Sequence, residues 1–536
     1  MSAPVSARPG TAEAVATALL REVGEDPGQV RRELDWSGPV ELPLPDEAAV
    51  QAACGIMQVH GRSAGRPVPL GVPYASTVAG VLLAQGALAV AIARARGGRI
   101  ERVRTSVAQS ALLAVQQYLA VAGCAEPEPP AEPGAPPPLR TADGVRCELE
   151  TLTAEHWLAF WTALGVERGP VARGWRPFQQ RFGTATCALP FELHAAVRAV
   201  GYADVLDAAR ASGVSVLPVR ADPAPPLDLP ACELAPLPGI APRPLGAPGA
   251  LPLSGIVVVE STRRVQGPVA GQVLRMLGAD VVRVEPPGGD PMRGVPPMAG
   301  DCSVRHLALN AGKRVVEVDI RTAAGRRELH ELVEGADAFV HNWAPGKAAR
   351  LGLDAARLAP PGLSYAWASG WGDALGPEPP LGTDFLVQAH SGLAAAVRPG
   401  RPPAPSLLTL TDVLGGLVCA FGVLAALLRR VRTGSGSTVD SSLLSAAGVV
   451  PRTPLRTPVL RTADGHLVVS GDHDAVFGGA DPLAEPSRHW VERAARAGAV
   501  ATPVCTDLRE LVDDPRFGAA LGRGRYVFPH PPWEFG

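Results

Sequence analysis

Gly255-Ile256-Val257-Val258-Val259-Glu260 is an unbroken apolar run that opens on a glycine and closes on a carboxylate. Such a run predicts a strand buried on both faces, and strands of that kind belong to parallel sheets covered by helices. The residues that follow extend the reading. Positions 267–277 read as a helix and 280–285 as a second strand. Further on come a strand over 314–320, a helix over 323–333, a strand over 337–343, a short helix over 346–351 and a strand over 363–369. Strands that alternate with helices build βαβ units, so the fold class is α/β with a doubly wound parallel sheet. Ligands of such sheets bind outside the carboxyl ends of the strands.

One loop beyond the last of these strands stands Gly382-Thr383-Asp384-Phe385-Leu386-Val387-Gln388-Ala389-His390-Ser391-Gly392. Thr383 is placed to cap a helix and Gly392 to end it. Asp384 then falls in the first turn, where the helix dipole favours the ionised carboxylate. An ionised carboxylate at the mouth of an α/β domain is a candidate nucleophile. The plainer alternative is an acid that only stabilises its own helix.

Before residue 253 the pattern differs. Helices are expected over 11–21, 48–57, 77–96 and 106–122, and the Pro/Glu-rich stretch 126–138 reads as a linker. Residues 139–220 form a small α+β unit with a helix over 154–164 and an extended end over 214–219. The proline-dense stretch 221–252 is the clearest domain boundary. Residues 75–111 align without gaps with 411–447 at a shift of 336, pairing Gly80 with Gly416 and Gly86 with Gly422. Leu139-Arg140-Thr141-Ala142-Asp143-Gly144 recurs identically at Leu460-Arg461-Thr462-Ala463-Asp464-Gly465. Val50-Gln51-Ala52 answers Val387-Gln388-Ala389, which sets Glu47 opposite Asp384. The period is too long for a solenoid. It predicts a partial duplication: 1–220 is a degenerate copy without the strand–helix half before Glu47, and 253–536 is a fuller copy with a shortened small unit.

The chain's 536 residues are 46% hydrophobic and 19% charged, with a formal net charge of −2. That balance argues against a nucleic-acid surface or a polybasic membrane anchor. No apolar run is read as a membrane span and no secretory leader is seen in 1–10, so a cytoplasmic protein is expected. The eight cysteines lack C-x-x-C spacing and the eleven histidines lack H-E-x-x-H, so no metal is expected. Lys313 and Lys347 are the only lysines among 50 basic residues, a hint of a local need for an ammonium group.

Several motifs resemble those of family III CoA-transferases, the CaiB/BaiF group. Leu253–Glu260 with Gly267-Pro268, and Leu277-Gly278-Ala279-Asp280 running to Asp290, resemble the family's opening. Leu309-Asn310-Ala311-Gly312-Lys313-Arg314 is similar to its N-x-G-K-R segment. Asn342-Trp343-Ala344-Pro345-Gly346 with Arg350-Leu351-Gly352 is similar to N-F-x-P-G…R-L-G. Ser369-Gly370-Trp371-Gly372 resembles S-G-F-G. Gly382-x-Asp384-x-x-x-Gln388-Ala389-x-Ser391-Gly392 resembles the segment that holds the catalytic aspartate, and Pro531-Pro532-Trp533-Glu534-Phe535 the closing block. These motifs run in order through 251–536; residues 36–220 resemble the family's later half more faintly.

The resemblance implies a Rossmann-like large domain with a small α+β domain, coenzyme A and acyl-CoA as substrates, and transfer of CoA to a small carboxylic acid through an aspartyl anhydride on Asp384. It implies CoA contacts from Arg264, Val265, Gln266, Asn310, Lys313, Arg314, Asn342, Trp343, Lys347 and Arg350. It also implies interlocked subunits, hence an intramolecular pseudo-dimer in which 139–220 covers Asp384 and Glu47 is not catalytic. Further homo-oligomerisation is left open. The chain departs from the family pattern at His341, at Thr383 and in the absence of a glycine-rich loop between 449 and 460. A racemase of the same superfamily is an alternative, although racemases resemble G-H-D where this chain has Gly382-Thr383-Asp384. A CoA-binding scaffold without catalysis is the other.

Overall fold

The computed structural model describes residues 9–128, 135–241 and 244–536. Positions 129–134 of the expected linker lie outside them. The first half contributes α1 (Gly10–Glu22), β1 (Arg31–Asp35), α2 (Glu47–Ala53), α3 (Tyr74–Ala95) and β2 (Arg102–Ser106). The second contributes β3 (Cys232–Ile240), β4 (Val257–Ser261), α4 (Gln266–Met276), β5 (Asp280–Glu285), β6 (Arg314–Glu317), β7 (Ala338–His341), β8 (Ser364–Ser369), α5 (Asp384–His390), α6 (Leu410–Thr433) and β9 (Ser435–Ser442).

The run that opened the sequence reading is β4, the third strand of a seven-stranded sheet ordered β6-β5-β4-β7-β8-β9-β3. Six strands are parallel and β3 pairs antiparallel with β9. Val258 and Val259 are almost wholly buried, as a strand covered on both faces requires. The parallel strands leave β4 in opposite directions, to β5 and β6 on one side and to β7, β8 and β9 on the other. This is the doubly wound order, with its switch point between β4 and β7. The proline-dense stretch 221–252 is therefore not linker throughout. Residues 232–240 form β3, and Pro236 and Pro238 are tolerated because it is an edge strand.

α3 and α6 pack against each other at the centre of the molecule. The Tyr74 hydroxyl donates to Leu410 O at 2.9 Å and Gln85 Nε2 to Leu417 O at 2.6 Å. Each helix is long and apolar enough to cross a membrane, which the sequence reading overlooked; 94% of each apolar window is buried inside the fold. Glycines permit the next layer. A Cβ at Gly80 would fall 2.6 Å from Ala12 O of α1, and one at Gly416 would fall 2.3 Å from Gln266 O of α4. α1 thus lies on α3 as α4 lies on α6. β1 also pairs in parallel with β2. The first half is therefore not stripped bare before Glu47, since a helix and a strand stand there.

Two small three-stranded antiparallel sheets stand apart from the large one. One joins Leu139–Arg140, Arg146–Glu150 and Ser215–Pro218; the other joins Leu460–Arg461, His466–Ser470 and Val500–Pro503. The first leans on α5, where Arg220 N donates to Ala389 O at 3.0 Å, and the second on α2, where Cys505 N donates to Ala52 O at 2.9 Å.

Candidate active site

Asp384 opens α5 and is almost wholly buried. Four donors converge on its carboxylate. Oδ1 accepts from Thr411 N at 2.6 Å, Thr411 Oγ1 at 2.6 Å and Asp412 N at 3.0 Å; among the described residues Oδ2 accepts only from Gln388 Nε2, at 2.5 Å. The backbone donors are unsatisfied N–H groups at the start of α6, which suits them to an anion. The capping expected of Thr383 is absent: its hydroxyl makes no hydrogen bond.

Burial raises the Asp384 pKa, and the four hydrogen bonds pull the other way. Asp412 has no such donors on its carboxyl. Burial, then the Asp384 charge, push it up to about 8, with Arg264 opposing. The donors stabilise the anion on Asp384, and that charge favours the protonated form of Asp412. Desolvation is the largest influence on Asp384, and it opposes ionisation.

Both acids line a cleft of about 1360 Å³, above the usual range for drug-sized ligands. The loops after β4 and β7 form one wall, at the switch point. Asn342 joins them, its Oδ1 accepting from Arg263 N at 3.0 Å and its Nδ2 donating to Arg263 O at 2.9 Å. Trp343 Nε1 donates to Ser261 Oγ, and Gln266 Nε2 to Ser369 O. The opposite wall comes from the small unit, through Glu150, Thr151 and Phe182. Behind Asp384, Arg181 pairs with Glu150 at 3.3 Å and stacks 4.6 Å from the Phe385 ring centroid. Gly370 and Gly382 meet backbone to backbone at the cleft floor, where a Cβ on Gly370 would stand 2.3 Å from Gly382 Cα.

Of the residues expected to touch a nucleotide, Arg264, Gln266, Asn342, Trp343, Lys347 and Arg350 line this cleft. Four do not. Val265 is fully buried core. Arg314 is exposed on edge strand β6, outside the cleft. Lys313 Nζ is buried among four acceptors: both Glu260 carboxylate oxygens, Pro268 O and Asn310 Oδ1, at 2.8–3.1 Å. Burial, opposed by Glu260, lowers its pKa to about 8. The local need for an ammonium is real, but it is structural, and it occupies Asn310 as well. His341 is a buried neutral imidazole, its pKa lowered to about 3 by burial, packed between Phe339, Trp343 and Tyr365. Sequence reasoning missed Asp412, Glu150, Phe182 and Arg263. Arg263 alone left a signal, as the residue beside Arg264 in the loop after β4. Among the described residues, no group of three or more His, Cys, Asp and Glu side chains is placed to hold a metal ion.

Glu47 has surroundings that repeat those of Asp384. Its carboxylate accepts from Gln51 Nε2, Ala75 N, Ser76 N and Ser76 Oγ, at 2.6–2.9 Å. Gln51 Oε1 accepts from Leu70 N as Gln388 Oε1 accepts from Ser406 N. Where Asp412 stands in one place, Ser76 stands in the other.

The family model of CoA-transferase family III matches residues 40–224 and 253–476. Succinate–glutarate CoA-transferase of Agrobacterium fabrum is 32% identical over 259 residues, which cover 42% of this chain and 64% of that protein. Acetyl-CoA:oxalate CoA-transferase of Acetobacter aceti is 32% identical over 254 residues, 42% of this chain and 65% of that protein. This chain thus spans just under two thirds of the length of these curated relatives. A crystal structure of a CaiB/BaiF family protein from Brucella suis aligns with a TM-score of 0.45 at 26% identity, covering 53% of this chain and 92% of that one. The two matched segments take in most of the sequence, and the chain belongs to CoA-transferase family III.

Proposed function

We propose that this chain transfers coenzyme A from an acyl thioester to a free carboxylic acid, with Asp384 as the covalent carrier. One observation carries the reading: a buried carboxylate on the cleft floor whose Oδ1 is saturated by three donors while Oδ2 has only one. Oδ2 is the nucleophile. It attacks the thioester carbonyl, the C–S bond breaks, and CoA leaves as thiolate while a mixed anhydride forms on Asp384. The thiolate then attacks the aspartyl carbonyl carbon and expels the donor acid, which leaves an aspartyl-CoA thioester. The acceptor carboxylate attacks that carbon and expels the thiolate again. The thiolate takes the acceptor's acyl carbon, releasing the new thioester and the Asp384 carboxylate. A covalent relay divides one difficult exchange into easier steps. Arg263, Lys347 and Arg350, at the carboxyl ends of β4 and β7, are the groups for the CoA phosphates.

The same reading takes the chain as a duplicated, internally paired molecule with one active site. The matched surroundings of Glu47 and Asp384, the like packing of α1 on α3 and α4 on α6, and the crosswise leaning of the two small sheets support it. No parallel sheet of the β4–β9 kind adjoins Glu47 among the described residues, so Glu47 is read as non-catalytic.

Incubation with acyl-CoA and then hydroxylamine is expected to leave one hydroxamate per chain, at Asp384. Asp384→Ala is expected to abolish both the trapped adduct and exchange, while CoA binding by calorimetry persists. Exchange that survives this change would sink the mechanism.

A further inference from the structure

The two matched carboxylate pockets differ in one extension. In each, a glutamine holds a backbone segment with both ends of its amide. Gln51 Oε1 accepts from Leu70 N at 2.9 Å, and Gln51 Nε2 donates to Val72 O at 3.1 Å. Gln388 Oε1 accepts from Ser406 N at 2.8 Å, and Gln388 Nε2 donates to Ser406 O at 2.9 Å. The shift of 336 that aligns the repeats sets Leu70 opposite Ser406. Leucine ends the network in one pocket, and serine continues it in the other. Ser406 Oγ stands 2.8 Å from Nδ1 of His60, on the short helix Ile56–Gly61 of the first half. The same shift sets Ala396 opposite His60, so neither member of this pair has a polar counterpart beside Glu47.

Each link in this line is fixed by the next. His60 is half-buried and neutral, its pKa lowered to about 3 by burial and then by Arg398. Ser406 Oγ also accepts from Leu408 N at 3.2 Å. In either imidazole tautomer the bond to Nδ1 holds the serine in place. Ser406 and Gln388 are almost wholly buried. With Oε1 on Ser406 N, the Gln388 amide cannot turn over without setting that oxygen against the Asp384 anion. One hydrogen of its NH₂ goes to Ser406 O and the other to Asp384 Oδ2. The donors on Glu47 divide two and two between its oxygens. On Asp384 they divide three and one, so among the described residues Gln388 alone holds the oxygen that reacts.

We infer that His60 is a positioning residue for the nucleophile, acting through Ser406 and Gln388 on Asp384 Oδ2, so that the first half of the chain serves the chemistry as well as covering it. For its catalytic consequence this rests on the transferase reading. When the thiolate attacks the Asp384 carbonyl carbon, the bond from that carbon to Oδ2 breaks and the electron pair returns to Oδ2, which leaves with the donor acid. An amide N–H already aimed at Oδ2 favours that departure. An amide free to turn serves it less well. CoA held by its phosphates at the β4–β7 switch point does not sense the difference. The effect therefore belongs to kcat and not to CoA affinity.

The test compares His60→Ala, Ser406→Ala, the double variant and His60→Asn. His60→Phe, which keeps a ring and removes the nitrogen, stands in for His60→Ala if that variant does not fold. Either single loss is expected to lower kcat for exchange about 3- to 10-fold, the worth of one neutral hydrogen bond, with the calorimetric Kd for CoA unchanged. The double variant should lose no more than the worse single one, since both residues act along one line. His60→Asn, which returns a hydrogen-bonding atom near the place of Nδ1, should recover part of the rate. Carbodiimide labelling of Asp384, followed by mass spectrometry across pH, reads the carboxyl whether or not CoA is transferred. Its midpoint is expected to rise when His60 or Ser406 is replaced, because a loosened Gln388 donates less to the anion. Asp412, Glu148 and Tyr74 act on Asp384 alike in every variant. A midpoint that stays fixed in folded variants would overturn the inference, as would a loss of rate matched by a loss of CoA affinity. Absence of exchange in the unchanged protein would count against the transferase reading instead, and the labelling midpoint would still decide the role of His60.

Discussion

Glu47 and Asp384 present the same problem to their surroundings, a buried carboxylate, and receive the same solution from a side-chain amide, two backbone N–H groups and a hydroxyl. Burial raises the pKa of both. What differs is access, since Asp384 lines the cleft and Glu47 does not. Glu47→Gln is therefore expected to destabilise the fold by about 1–3 kcal/mol, because its amide NH₂ would face backbone donors. Urea midpoints would measure that, and the rate of exchange should not move. Asp412 makes a pH prediction. Its native pKa of about 8 lies above the ~3.9 of an unfolded aspartate. Between those values the folded chain keeps a proton that the unfolded chain has released. Stability from this group is then fully present below about pH 4 and is lost as pH rises toward 8. Asp412→Asn should flatten that slope, as read from urea midpoints across the window. Asp384 was legible in the sequence because motif and helix signal coincide on it. Asp412 was not, because an acid near a helix start is ordinary until a second acid 28 positions earlier folds onto it.

Among elements, the strands were the easiest to read. β4, β5 and β8 lie within one or two residues of the positions their apolar runs indicate. β3 was missed because its prolines suppress the strand signal, and only pairing to β9 rescues it. The Lys313 segment was misread for a different reason. A lysine and an asparagine after a helix look like phosphate ligands until Glu260, from another strand, is found beneath them. The two central helices give a comparison. Gly80→Ala and Gly416→Ala both drive a methyl group into the backbone of a packed helix, at a cost of about 1–3 kcal/mol each. The second also displaces Gln266, which lines the cleft. Thermal unfolding should fall for both, and kcat only for Gly416→Ala.

At the scale of the whole chain, the identical hexamer suggested a repeat, and the resemblance to interlocked subunits suggested that 139–220 covers Asp384. Which surfaces meet was not visible, because side-chain contacts such as Arg181 with Phe385 join positions 204 residues apart. The reach of 139–220 onto α5 has one more consequence. Where a cover and a nucleophile belong to separate subunits, dilution parts them and activity falls with concentration. Here a single backbone carries both, so the cover remains at a fixed, high local concentration however few molecules are present. Specific activity should therefore stay constant down to nanomolar enzyme. If instead it declines with a second-order dependence, a partner chain contributes to the site.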